Sequence, residues 1–195
     1  MENKIILQKN VPERNHISPY KINHLDNSFF LGCIMYLFTS KNVMIKPLGL
    51  WYSLKWYWIE NLNIGMDYSE IEYKKNDNKV YEIHNEYLYE IILQPNIFSN
   101  LENKGLNKIL ILEKLEEFSK FYDTYKYFDI NDNEDDNEDE KIDWKKVYMD
   151  YGGIEIRNVH LEEVFANSKK FWYGWDIPSG CIWNKDLIQI FRLIL

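Results

Sequence analysis

A chain of 195 residues, 46 % of them hydrophobic, is long enough to bury a core and fits one domain. Its formal net charge of −8 is local: seven acids lie between Asp132 and Glu140, and without them 24 acids face 23 Lys and Arg. The nearly neutral remainder carries no basic stripe of the nucleic-acid-binding kind, and its longest apolar run, Phe29 to Phe38, is too short to span a bilayer.

Cys33 and Cys181 lie far apart and show no metal-ligand spacing, and Met1 leads into a mixed polar segment rather than a signal peptide. These features predict an intracellular, cytoplasmic protein with reduced thiols. The expected organisation is an irregular lead-in over 1–27, then a single domain over 28–195 with an acidic loop at 131–140.

In chain order, the apolar, β-rich run 28–38 predicts a first buried strand, and Pro47 and Gly49 punctuate a turn-rich link over 41–49. Leu50 to Ser53 predict a second strand, with Trp56, Trp58 and Ile59 beyond it as an aromatic lid. VYEIHNEYLYEIILQ, 80–94, predicts two strands about a polar turn near His84 to Glu86. ILIL, 109–112, predicts a short buried strand. Leu115, Phe118, Tyr122 and Tyr125 then share one helix face. The segment 131–140 has no apolar residue and reads as a solvated loop.

Asp143 suits the N-cap of a further helix, whose stripe is Trp144, Val147, Tyr148 and Tyr151. Gly152 and Gly153 read as its C-cap, and Ile154 to Ile156 as a short strand directly behind. The apolar tail 187–195 reads as docked on the body. The whole pattern is α+β, with mixed, mainly antiparallel sheets and flanking helices.

Chemistry is concentrated in few places. Glu155, between two isoleucines of a short strand, faces away from them and could sit at a cleft edge. A carboxylate so placed can hydrogen-bond a sugar hydroxyl and stabilise an oxocarbenium-like transition state; a solvated glutamate is the other reading. Thr39, Ser40 and the run from Gly49 to Ser53 combine hydroxyls with a glycine, which suits a ribose, amide or phosphate contact or plain turn chemistry. Neither GxGxxG nor a GK[ST] phosphate loop is present. FWYGWDIPSGCIWN, 171–184, could stack a planar ligand or pin a loop to the core. His16, His24, His84 and His160 have no metal spacing, so no metal site is predicted.

YLFTS at 36–40 followed by KPLGLWYS at 46–53 resembles the opening of ADP-ribosyltransferase-like proteins. There a strand with a polar signature leads through a turn to GL and a serine-bearing strand. IDWKKVYMDYGGIEI, 142–156, resembles the helix-turn-strand that delivers a glutamate in the same family. The resemblance covers roughly 34 to 184 through loose motifs, and the layout is also similar to proteins of fungi and large DNA viruses.

The resemblance implies an ADP-ribosyltransferase-like fold and NAD as substrate. NAD would be cleaved at the nicotinamide–ribose bond and ADP-ribose passed to an acceptor, expected to be a protein rather than nucleic acid. It puts Glu155 at the catalytic acid and Thr39, Ser40, Gly49, Tyr52 and Ser53 at the nicotinamide-ribose wall, with Lys46 near phosphate. The chain also departs from the family. One class has His and another Arg in the first strand, where this chain has Tyr36 and Leu37, and there is no clear Ser-Thr-Ser or Glu-x-Glu motif. The alternative reading is a non-catalytic binding or structural protein with an aromatic-rich surface; a viral source would put it in the host cytoplasm or the virion.

Overall fold

The computed structural model describes residues 4–7, 13–39, 46–55, 81–84, 87–127, 141–158, 175 and 177–194. Its centre is one eight-stranded sheet, mostly antiparallel, in the order β12-β5-β2-β3-β11-β10-β7-β6. These strands are β2 (Arg14–Ser18), β3 (Leu50–Leu54), β5 (Tyr87–Leu93), β6 (Phe98–Ser99), β7 (Gly105–Leu112), β10 (Tyr151–Ile156), β11 (Ser179–Ile182) and β12 (Ile188–Leu193). Among the described strands, the parallel pairs are those of β7 with β6 and with β10. Two further pairs stand apart from it: β1 (Lys4–Leu7) with β4 (Tyr81–His84), and β8 (Lys126–Tyr127) with β9 (Lys141–Ile142). Among the described residues the α-helices are α1 (Asn27–Thr39), α2 (Leu115–Tyr125) and α3 (Trp144–Asp150). The α+β expectation holds at this level.

The sheet is curled, and chain connectivity requires it. β5 is second and β6 last in the strand order, yet residues 94–97 alone join them. Five residue steps reach about 18 Å at full extension. Six strand spacings in a flat sheet would need about 29 Å. Curling brings the Arg14 guanidinium of β2 to 4.8 Å from the Phe98 ring of β6.

Side-chain alternation gives the sheet two buried faces. Trp51, Leu110, Leu112, Ile154, Ile156, Cys181 and Trp183 pack under α2 and α3. Leu50, Tyr52, Ile91, Ile97, Ile109 and Ile182 fill the opposite side, closed by Phe30 of α1 and Leu187. The predicted stripe Phe118, Tyr122 and Tyr125 is buried on α2. Asp143 caps α3 by accepting from the Lys146 N–H.

Several expectations are corrected. The lead-in contains β2, an interior strand of the main sheet. Residues 28–38 form a helix, not a strand: Asp26 Oδ1 accepts from the Phe29 N–H at 3.1 Å as an N-cap, and the run exceeds the length of an ordinary strand. This helix is largely uncovered; it buries Phe30 and Leu37 and leaves Leu31, Met35, Tyr36 and Phe38 exposed. β4 and β5 pair with other strands rather than with each other.

Gly152 and Gly153 do not cap α3. Tyr151 closes it in an extended conformation and β10 begins there. Gly152 sits at an irregularity in the β10–β7 pairing, where a Cβ would come within 2.2 Å of the Leu106 carbonyl. The tail is the edge strand β12, paired with β5. The acidic loop, the aromatic lid at 56–59 and Ser40 lie outside the described residues.

Candidate functional site

Four contiguous strands, β2, β3, β11 and β10, bring one polar cluster together on the concave side of the sheet. Glu155 is paired in register with Gly180, and Gly180 with Tyr52. The three residues form a row in which the middle member has no side chain. A Cβ on Gly180 would lie 2.3 Å from Cζ of Tyr52, so the phenol runs directly over this glycine. Its hydroxyl donates to Glu155 Oε2 at 2.8 Å. On the next strand Arg14 opposes Leu54, on the same face as Tyr52.

Glu155 is fully buried, and four protein donors converge on its carboxylate. Arg14 donates from Nε to Oε2 at 2.7 Å and from Nη2 to Oε1 at 3.2 Å. Arg157 donates from Nε to Oε1 at 2.7 Å, and Tyr52 completes the set. Two oxygens offer about four acceptor positions, so the carboxylate is saturated. The expectation of a cleft-edge carboxylate is thereby corrected. A solvent-facing Glu155 in β10 would need an open sheet face, and here the curl closes over it.

The electrostatics follow from this geometry. Burial alone would push the Glu155 carboxyl up. The hydrogen bond and charge of Arg14, with the hydrogen bonds from Arg157 and Tyr52, outweigh it and hold the group below its ordinary value. Burial and the neighbouring carboxylate push the Tyr52 phenol well up, so it stays neutral and donates. Burial disfavours the Arg14 charge, but Glu155 more than compensates. The Phe98 ring lies against both guanidiniums, 4.8 Å from Arg14 and 5.0 Å from Arg157.

Of the described residues proposed for the site from the sequence, Tyr52 and Glu155 meet here, whereas Ser53, Gly49, Lys46 and Thr39 lie elsewhere. Ser53 is buried on the other face of β3, with Oγ 3.5 Å from Asn15 Oδ1. Gly49 has φ of 156° and serves close strand approach: a Cβ there would lie 2.3 Å from the Ile182 carbonyl. Lys46 is exposed, with Nζ 5.5 Å from the centroid of Trp51, which points to the opposite face from Tyr52. Thr39 is exposed at the end of α1 and donates back to the Met35 carbonyl at 2.8 Å. None of these four can share a cavity wall with Glu155 in this arrangement.

Arg14, Arg157 and Gly180 are not among the sequence candidates. Arg157 was open to inference, because two residues along a strand return to the same face. Arg14 carries no local signal, as 141 residues separate it from its partner. A separate apolar groove of about 510 Å³ runs between α1 and α3, walled by Phe30, Ile34, Phe38, Tyr148 and Trp183. Of the sequence candidates, the aromatic segment 171–184 reaches it, through Trp183 and Asn184. Among the described residues no helix is long and apolar enough to cross a membrane. No family model, no curated protein and no solved structure matches this chain.

Proposed function

We propose that the chain is an ADP-ribosyltransferase-like enzyme that cleaves NAD with Glu155 as its catalytic carboxylate. The observation that carries the reading is the ionised Glu155, held beside Tyr52 and Arg14 on adjoining strands of one curled sheet. The strand beside the serine-bearing β3 is β2, and its first residue is an arginine, the residue type that one class of the family has in its first strand, which supports the reading.

In the reaction, the bond from ribose C1′ to the nicotinamide nitrogen breaks, and its electron pair leaves with nicotinamide. Positive charge grows on the ribose. A fixed carboxylate stabilises that charge without reorganising. The acceptor forms the new bond to C1′ and loses a proton; with water as acceptor the products are ADP-ribose, nicotinamide and a proton. The natural acceptor would be a protein, and the two free cysteines accord with an intracellular location.

One observation favours the second reading, a non-catalytic binding protein. Every acceptor position of Glu155 is taken by the protein itself, as in a purely structural ion cluster. Incubation with NAD separates the two. The enzyme reading expects nicotinamide release by the wild type, reduced on the order of a hundredfold or more in Glu155→Gln. A wild type that neither binds NAD nor releases nicotinamide sinks the enzyme reading.

A further inference from the structure

The four donors on Glu155 are not equivalent. Tyr52 is fully buried, and the Arg14 side chain is 10 % exposed and spends both Nε and Nη2 on the carboxylate. Arg157 is different: its side chain is 32 % exposed and it spends Nε alone. Among the described residues its two terminal nitrogens take no hydrogen-bond partner. The cluster holds two guanidiniums against one buried carboxylate. The other acid close by, Glu13, stands 3.5 Å from Arg14 Nη1 with its side chain 72 % exposed, where water screens it.

A partly exposed guanidinium with two terminal nitrogens to spare, braced by an aromatic ring, is suited to a phosphoryl group. We propose that Arg157 is the anion-binding residue of this site and, in turning its donors to a ligand's diphosphate, frees one acceptor position on Oε1 of Glu155, the other staying with Arg14 Nη2. The inference rests on the proposed reading of Glu155 for the identity of the full ligand, but the anion subsite stands on geometry alone. Arg157 is thus a positioning residue with two exclusive partners, the carboxylate in the free protein and the diphosphate in the complex. Phe98, in contact with the guanidinium in the free protein, limits the side chain's loss of order in the exchange.

The test uses the full chain and inorganic pyrophosphate as probe, with binding measured by calorimetry at low and moderate salt. Wild type should bind it, Arg157→Gln should bind about tenfold or more weakly, and Arg157→Lys should fall between. With NAD, Arg157→Gln should raise KM more than it lowers kcat. Far-ultraviolet circular dichroism and the melting temperature show that each variant is folded at the assay temperature, and the lysine variant keeps the charge should the glutamine variant unfold. Failure of wild type to bind pyrophosphate, or equal binding by wild type and a folded Arg157→Gln, overturns the anion subsite. If NAD is still cleaved in that case, the proposed function survives without it. If pyrophosphate binds through Arg157 while NAD is untouched, the subsite stands and the enzyme reading falls.

Discussion

Tyr52 reaches Glu155 only because position 180 is glycine: the phenol crosses the Gly180 backbone, and its hydroxyl ends 2.8 Å from the carboxylate. Two strands are bridged by one side chain laid over a third. Gly180→Ala must therefore expel the ring or distort β11. We expect a loss of about 1–3 kcal/mol, the usual range for overpacking a closed site. For a chain of this size that lowers the melting temperature by roughly 2–12 °C. Tyr52→Phe keeps the ring and should cost about 1.5–3 kcal/mol by removing a hydrogen bond to a charged group. Their effects should not add, since Gly180→Ala by itself already breaks the same bond. Strict additivity in thermal unfolding of the double variant would contradict the packing described.

Glu155→Gln preserves shape but leaves Arg14 and Arg157 without their anion. Breaking a buried pair in this way costs about 3–5 kcal/mol. That is a large part of an ordinary domain's stability, so the melting temperature should fall by roughly 6–20 °C. Adding Arg14→Met should recover part of the loss, because no unpaired buried arginine then remains at that position. Equal destabilisation in the single and double variants would mean that the pair is not coupled as its geometry implies.

Stability should fail at both ends of the pH scale for different reasons. Glu155 is held below its ordinary value, so the unfolded chain binds the proton more readily. Its contribution is complete above about pH 4.3 and is lost as pH falls through the lower folded value. The phenols behave oppositely. Burial pushes Tyr52, Tyr125 and Tyr148 well up, and Tyr151 up to about 12. The unfolded chain releases these protons near pH 10 and the folded one keeps them, so stability declines as pH rises beyond about 10. Urea unfolding across the pH range should show both limbs, the acid one flattened in Glu155→Gln. An unchanged acid limb in that variant would remove Glu155 as its source.

Cys33 and Cys181 are free, the first half-buried on α1 and the second buried in β11. Burial pushes both thiols up, Cys181 the more strongly, and a buried thiol reacts slowly. A thiol reagent should find two groups in denatured, unreduced protein and should label Cys33 before Cys181 in the native state. Fewer than two in the denatured protein would mean that one or both thiols are oxidised.

The elements legible in the sequence are those whose signals are local. The stripe from Leu115 to Tyr125 and the Asp143 cap each specify their own helix through neighbours within four residues. Leu50 to Ser53 and Ile154 to Ile156 read as strands for similar reasons of composition, and lie within β3 and β10. The run 28–38 is ambiguous, since an apolar stretch without period fits a strand or a helix, and its capping aspartate lies just outside it at Asp26.

The candidate site is beyond local reading. Glu155 and Tyr52 can each be named from their own segments, but their contact depends on a glycine in a third strand. Arg14 joins them because β2 pairs beside β3, although its own segment reads as an unstructured leader. Alternation along β3 then separates Ser53 from Tyr52 and sends Trp51, whose ring Lys46 approaches, to the opposite face. Residue types and local pattern establish which groups can ionise, donate or stack. Strand register and the curl of the sheet establish which of them meet, because those are properties of pairings between segments far apart in the chain.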